Sequence, residues 1–261
     1  MKHKVLKNLF VGLVFFFLYL PIIILVVFSF NTSRMNIIFE GFTFSWYQSL
    51  FSNRDLLEAF INTMIIAVSS TVISTVIGTM GAVGLSKYSF PFKGVINKLI
   101  YIPIVIPEIV LGISLLSIYT LTKMELGMGT LILSHIAFSI PFVVVSVKST
   151  LSYEIHTYEE AAHDLGANSF KTFFLVTLPT IMPGVISGAT LAFTLSMDDV
   201  VISYFTAGPG SNTLPLHIYS MIKTGITPDV NALSSLMLFI TIVVLTMSAV
   251  IQGRRIVGDY R

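Results

Sequence analysis

Glu160-Ala161-Ala162, with Gly166 four residues on and Val176, Leu178 and Pro179 closing the pattern, stands in a polar stretch between two long apolar runs. A segment so placed reads as a loop between membrane helices, and it is too long for a simple turn. The apolar runs on either side decide what kind of protein carries it.

Hydrophobic residues fill 54% of the 261 positions and charged residues 11%, with a mean hydropathy of +0.88. That balance lies outside the range of soluble domains and marks an integral membrane protein. A bilayer core needs about 20 apolar residues per helix, and the sequence predicts six spans, roughly at 9–30, 58–86, 99–121, 128–150, 176–206 and 231–252. The short alternating segments of a closed barrel are absent. The expected fold is therefore all-α, with residues 1–261 forming a single transmembrane domain and 151–177 its main interior loop. The basic start Met1-Lys2-His3-Lys4 is like that of a signal peptide, but the apolar run behind it is too long and lacks a small-residue cleavage pattern, so it reads as a retained helix.

Of the 15 Lys and Arg residues, 11 fall at one set of span ends (Lys2, Lys4, Lys7, Lys87, Lys93, Lys98, Lys148, Lys171, Arg254, Arg255 and Arg261) and 4 at the other (Arg34, Arg54, Lys123 and Lys223). The basic side is cytoplasmic, which places both termini inside. With a net charge of only +2 and no dense basic patch, nothing points to nucleic acid. Cysteine is absent, which removes disulfides and thiolate chemistry.

Outside, Phe42-Thr43-Phe44-Ser45-Trp46-Tyr47 is an aromatic amphipathic stretch suited to the membrane interface. Its lone Trp46 reads either as an interfacial anchor or as a residue facing a ligand or an external partner. Inside, Lys87 to Gly94 is a connector broken by Pro91 and Gly94. In the 151–177 loop, Thr157 is placed to cap a short helix ending near Leu165, with Glu159 and Glu160 at its positive end. Gly166 permits a left-handed turn, and Asn168 or Ser169 can cap a second helix running towards Pro179. Ala161 and Ala162 leave a flat face for another protein surface.

Candidate substrate residues are the ionisable groups that fall within the spans. A charged side chain at mid-helix costs about 2.5–3.5 kcal/mol on insertion scales, so its presence asks for a function. Glu108 follows two prolines in Ile102-Pro103-Ile104-Val105-Ile106-Pro107, where a kink would free backbone carbonyls. Asp198 and Asp199 are adjacent, and residues about 100° apart on a helix do not share a face, so one faces a path and the other caps or braces. Asp198 is favoured for the path. No Lys or Arg lies at that depth, and a cationic ligand would supply the missing charge. Tyr101, Tyr119, Tyr204 and Phe205 can wall a cation path or serve as packing.

No catalytic constellation is present. The chain lacks the Gly-x-x-x-x-Gly-Lys-Ser/Thr phosphate loop, and its five histidines show no metal-ligand spacing. The sequence implies no cofactor in this chain and no resident metal.

The gapped pattern Glu160-Ala161-Ala162, Gly166, Val176, Leu178-Pro179, in a six-span chain, resembles the cytoplasmic coupling motif of permease subunits of binding-protein-dependent ABC importers. Val176, where isoleucine is commoner, is its one departure. The resemblance implies the MetI-like permease fold with a coupling helix that docks into separate ATPase subunits. It implies two copies of that ATPase, holding ATP and Mg; a second, related permease; an extracytoplasmic binding protein; and location in the bacterial inner membrane. The runs Ser196 to Phe205 and Phe42 to Tyr47 further resemble polyamine permeases, which implies spermidine or putrescine as cargo and Trp46, Glu108 and Asp198 as contacts. Three alternatives stay open: the same machine with another small solute such as iron or phosphonate, an ion-coupled secondary transporter or channel, or a passive scaffold.

Overall fold

A computed structural model describes residues 2–33, 38–151, 154–221, 228–239 and 242–243, all helix and connecting segment among these. The chain forms two compact units, Met1–Leu57 with Ser220–Arg261, and Glu58–Tyr219. Among the described residues four helices are long and apolar enough to cross a membrane, or five if one bent pair is a single span. Half of the sixth expected span, 231–252, lies outside the described residues, as do Arg254, Arg255 and Arg261.

In the first unit, α1 (Lys2–Phe28) exposes nearly all of its apolar surface, as a helix facing lipid does. The chain then turns back on itself. Asn31 is buried; its amide donates to the Ile38 carbonyl at 2.7 Å and accepts from the Glu40 N–H at 2.9 Å. Phe30 stacks on Phe42 at 4.9 Å and meets Phe44 edge-on at 5.4 Å. The short α2 (Ser45–Leu50) follows, and Asn53 donates to the Asp229 carboxylate at 2.7 Å.

The second unit holds most of α3 (Arg54–Lys87) and the helices that pack on it. The expected third span is not one rod. It divides into α4 (Lys93–Leu99), α5 (Ile102–Val105) and α6 (Glu108–Leu121), with a bend of 110° before Glu108. Pro107 is the cause: it forces Ile106 into extended backbone (ψ 137°) and offers no N–H to continue a helix. Pro103 lies in the first turn of α5, where a missing donor costs nothing.

α7 (Met128–Lys148) and α10 (Leu178–Asp198) make the main helix pair. A membrane gives helices little hydrophobic reason to associate, so close approach by small residues has to hold them. Val143 of α7 fills that role from both sides. A methyl on Gly78 of α3 would come within 2.7 Å of the Val143 side chain, and one on Gly188 of α10 within 3.0 Å of its Cα. The buried cluster around it contains Ala82, Val144, Val147, Ile181 and Ala192.

The interior loop forms α8 (Glu154–Asp164), and Gly166 takes the left-handed backbone (φ +83°) that a side chain opposes. Thr157 lies inside α8 and is not its cap. Asn168 caps α9 (Ser169–Thr172), its side chain accepting from Lys171 N–H at 2.9 Å. The helix does not stop there. A π-helical turn, Phe173–Thr177, joins α9 to α10, so residues Ser169–Asp198 run as one helix and the expected start at 176 moves back into the loop. At its other end the expected 176–206 span breaks after Asp198; α11 (Val201–Thr206) is a separate element. The return segment towards α12 (Leu214–Met221) is held on α3, where Leu214 N–H donates to Thr63 Oγ1 at 2.8 Å and Asn62 to the Asn212 carbonyl at 3.0 Å.

Candidate functional site

Two groups of residues carry the chemistry, the loop around α8 and the helix breaks around Glu108 and Asp198. In α8, Glu160 and Ala161 are exposed and Ala162 is half-buried. Leu165 (89% exposed), Phe170 (72%) and Leu175 (73%) project beside them, more apolar surface than a solvent-facing loop ordinarily shows. Leu178 packs against the buried cluster and Pro179 is exposed.

Glu159, one residue before the motif, faces the opposite way. It is 5% exposed, accepts from Thr177 Oγ1 at 2.5 Å and lies 2.8 Å from Lys87 Nζ. Burial alone would raise its carboxyl pKa. The hydrogen bonds from Lys87 and Thr177, with the charges of Lys87 and His156, outweigh that and hold it below the ordinary value. A cavity of about 320 Å³ runs beside the pair, lined by Val83, Leu151, Ile155 and His156. The sequence reading settled on Glu160 and passed over Glu159. The available signal was helical spacing, since Ile155 and Ala162 bracket Glu159 on one face of α8.

At the second group, Asp198 ends α10, Asp199 precedes α11 and Glu108 opens α6. The three are close enough for their charges to interact. Packing of α11 on α6, with the Phe205 ring against Gly112, brings them together. Their surroundings differ. Asp199 is 6% exposed and accepts from Ile202 N–H at 3.1 Å, Ser203 N–H at 2.7 Å and Ser203 Oγ at 2.7 Å, which caps α11. Its Oδ2 lies 3.5 Å from Nε2 of the buried His135, whose Nδ1 is 2.6 Å from Ser196 Oγ. Ser203 Oγ spends its proton on Asp199, so His135 Nε2, 3.1 Å away, carries the proton between them. Asp199, named with the path residues from sequence, is thus turned inward as a brace.

Asp198 and Glu108 are exposed, and neither makes a salt bridge or a hydrogen bond to another side chain among the described residues. Asp198 also stands at a helix C-terminus, where unsatisfied carbonyls add negative potential. Irregular backbone at membrane depth persists where it lines a cavity or is buried in protein. The arrangement therefore presents acceptors and negative charge, and it suits a cation.

Tyr204 is 63% exposed, its ring edge-on to Phe205 at 5.4 Å and to Tyr219 at 6.4 Å. Tyr119 is buried, its hydroxyl 2.9 Å from Ser134 Oγ, and it walls nothing. Trp46 belongs to the first unit, where its indole N–H donates to the Asn31 carbonyl at 2.5 Å. The reading missed His135, although a histidine in mid-span is itself a signal. Among the described residues no His, Asp or Glu cluster could hold a metal.

Comparison with known proteins places this geometry. The chain is 42% identical over 259 residues to the spermidine/putrescine transport system permease protein PotC of Escherichia coli (strain K12), covering 99% of this chain and 98% of that one. It is 38% identical over 254 residues to the protein of the same name from Haemophilus influenzae, covering 97% and 99%. It is also 38% identical over 231 residues to the putrescine transport system permease protein PotI of Escherichia coli (strain K12), covering 86% and 82%. In fold it matches a chain from the crystal structure of a bacterial ABC transporter involved in the import of the acidic polysaccharide alginate, with a TM-score of 0.72, 16% identity and 95% of each chain covered. Residues 74–256 match the model of the binding-protein-dependent transport system inner membrane component, and the chain belongs to that family as a transport subunit and not an enzyme.

Proposed function

We propose that this chain is a permease subunit of an ATP-driven importer for polyamines, spermidine or putrescine, delivered by an extracytoplasmic binding protein. The observation that carries the cargo is the pair Glu108 and Asp198, two exposed carboxylates without counter-charge among the described residues, at the broken ends of membrane helices. Polyamines bring several ammonium groups on a flexible apolar stem, and spaced carboxylates beside Tyr204 suit both parts. The near full-length likeness to polyamine permeases supports the same cargo.

In this reading a second, related permease completes the path, and two ATPase subunits bind ATP and Mg and drive it. Glu160, Ala161, Ala162 and Gly166, with the exposed Leu165, form the docking face for the ATPase; Leu178 and Pro179 carry its displacement into α10. The basic span ends put this loop and both termini in the cytoplasm. Rocking of the helix bundle then exposes the carboxylate site to one side and the other in turn.

The test is uptake of labelled spermidine and putrescine into proteoliposomes containing the purified complex, its binding protein and internal ATP, beside Asp198→Asn. Uptake by the wild type and loss in the mutant, with the complex intact, is the expected result. An assembled wild-type complex that takes up neither amine would remove the cargo assignment.

A further inference from the structure

Asp198 does not stand alone on its helix. Thr194, Thr190, Ser187 and Thr180 are all exposed on α10, and with Asp198 they fall within an arc of about 100° on a helix that turns 100° per residue. The opposite side of α10 is the packed one, burying Ile181, Gly184, Gly188, Ala192 and Ser196. From Asp198 to Thr180 the face extends about 27 Å at 1.5 Å per residue, close to the thickness of a hydrocarbon core.

The state of the hydroxyl protons gives this face its chemistry. Thr194 Oγ1 donates to the Thr190 carbonyl at 2.9 Å, Thr190 Oγ1 to the Ile186 carbonyl at 2.8 Å and Thr180 Oγ1 to the Val176 carbonyl at 2.7 Å. Each proton is committed to the helix backbone, so what points outward is an oxygen lone pair. A threonine satisfied in this way is tolerable against lipid, and taken singly it would mean nothing. The exposed carboxylate that closes the same face at the end of the span decides otherwise, because an ionisable residue of a membrane segment turns to a water-filled or protein-lined space, and the surface continuous with it shares that space. Leu191, 40% exposed, interrupts the oxygens on that face with an apolar contact.

We infer that this face of α10 is an acceptor track for alkylammonium groups, along which a cationic chain released from Asp198 passes Thr194, Thr190, Ser187 and Thr180 in turn. Acceptor oxygens bind N–H⁺ donors, the apolar Leu191 takes methylene stem, and the four-residue steps of about 6 Å from Asp198 to Thr194 and on to Thr190 let one ammonium engage before another leaves. An anion would meet lone pairs at Thr194, Thr190 and Thr180. The track rests on the import reading for its direction, and on geometry alone for its preference for cations.

The chain has no cysteine, so single cysteines are uniquely reportable in it. In the assembled complex, Thr194→Cys and Ser187→Cys are treated with a trimethylammonium and a sulfonate methanethiosulfonate reagent, and labelling of this chain is followed over time. The expected result is modification at both positions, about tenfold faster by the cationic reagent, the preference that one charge-assisted hydrogen bond supplies. Equal rates, or no modification at either position, would overturn the track. A second arm measures uptake in Thr190→Val with Thr194→Val, which keep shape and remove the acceptors. An approximately tenfold loss, recovered by the serine pair, supports it, and wild-type uptake overturns it. If the wild type moves no polyamine, the cargo reading fails while the labelling arm still decides the track.

Discussion

Lys87 Nζ, on the last residue of α3, lies 2.8 Å from the Glu159 carboxylate on α8, and Thr177 closes on the same carboxylate from the helix that becomes α10. One side chain therefore ties the loop that carries the proposed docking face to two membrane helices. Glu160 beside it is exposed.

Removing that tie predicts loss of coupling ahead of loss of fold. Glu159→Gln keeps the shape and the Thr177 contact but loses the charge, at a cost of about 1.5–3 kcal/mol for a charge-assisted hydrogen bond. The expected outcome is a complex that still assembles and hydrolyses ATP but moves less substrate per ATP. Exchanging the pair, Lys87→Glu with Glu159→Lys, should recover part of the ratio; recovery no better than either single change would assign Glu159 to packing only.

Acidification tests the same pair with a defined sign. The Glu159 carboxyl is held below its ordinary value, near 4.3 for a free glutamate, so its stabilisation is fully present above that pH and is lost as pH falls through the lower folded value. Hydrogen exchange of residues 154–178 should stay flat from pH 7 to 5, after correction for intrinsic rates, and rise only below about 4. In Glu159→Gln the rise should vanish.

At Gly166 the backbone is left-handed, and a side chain there costs about 1–2 kcal/mol. Gly166→Ala should leave membrane insertion unchanged and weaken retention of the ATPase during purification, with Gly166→Pro more severe. Undiminished co-purification in both variants would separate the turn from docking.

Asp198 and Asp199 should separate cleanly under the same isosteric change. Asp199→Asn puts an amide among the N–H groups of Ile202 and Ser203, leaving donors unpaired in a buried place at about 1–3 kcal/mol, and should lower thermal stability. Asp198→Asn has no such neighbours and should leave stability within about 0.5 kcal/mol of the wild type while uptake falls. The reverse pattern would exchange their roles.

How far the sequence reaches can be judged from these residues. Composition and the gapped motif were enough for the membrane class, the helical fold and the family, because long apolar runs and a fixed spacing are local properties. The exposed acids at Glu108 and Asp198 were legible for the same reason: charge within a span is conspicuous wherever it points. What the sequence hid depends on partners distant in the chain. Glu159 is buried because Lys87 reaches it from another helix, and His135 braces Asp199 across the α7–α10 pair. The bend at Pro107 was expected as a kink, but its size, 110°, and the packing of α6 on α11 beyond it are not local properties of the sequence.

The extended backbone at Asp199 (ψ 125°) has one more consequence. It sets the phase of everything before it. Two chemically identical neighbours occupy different environments because they point apart where the helix ends, so a slip of one residue in α10 would exchange the anchored acid for the open one and turn the oxygens of Thr190 and Thr194 by about 100°. Inserting or deleting a single residue between Gly188 and Asp198 is thus a deeper injury than substituting any one of them, since it leaves every functional group present and none in its place.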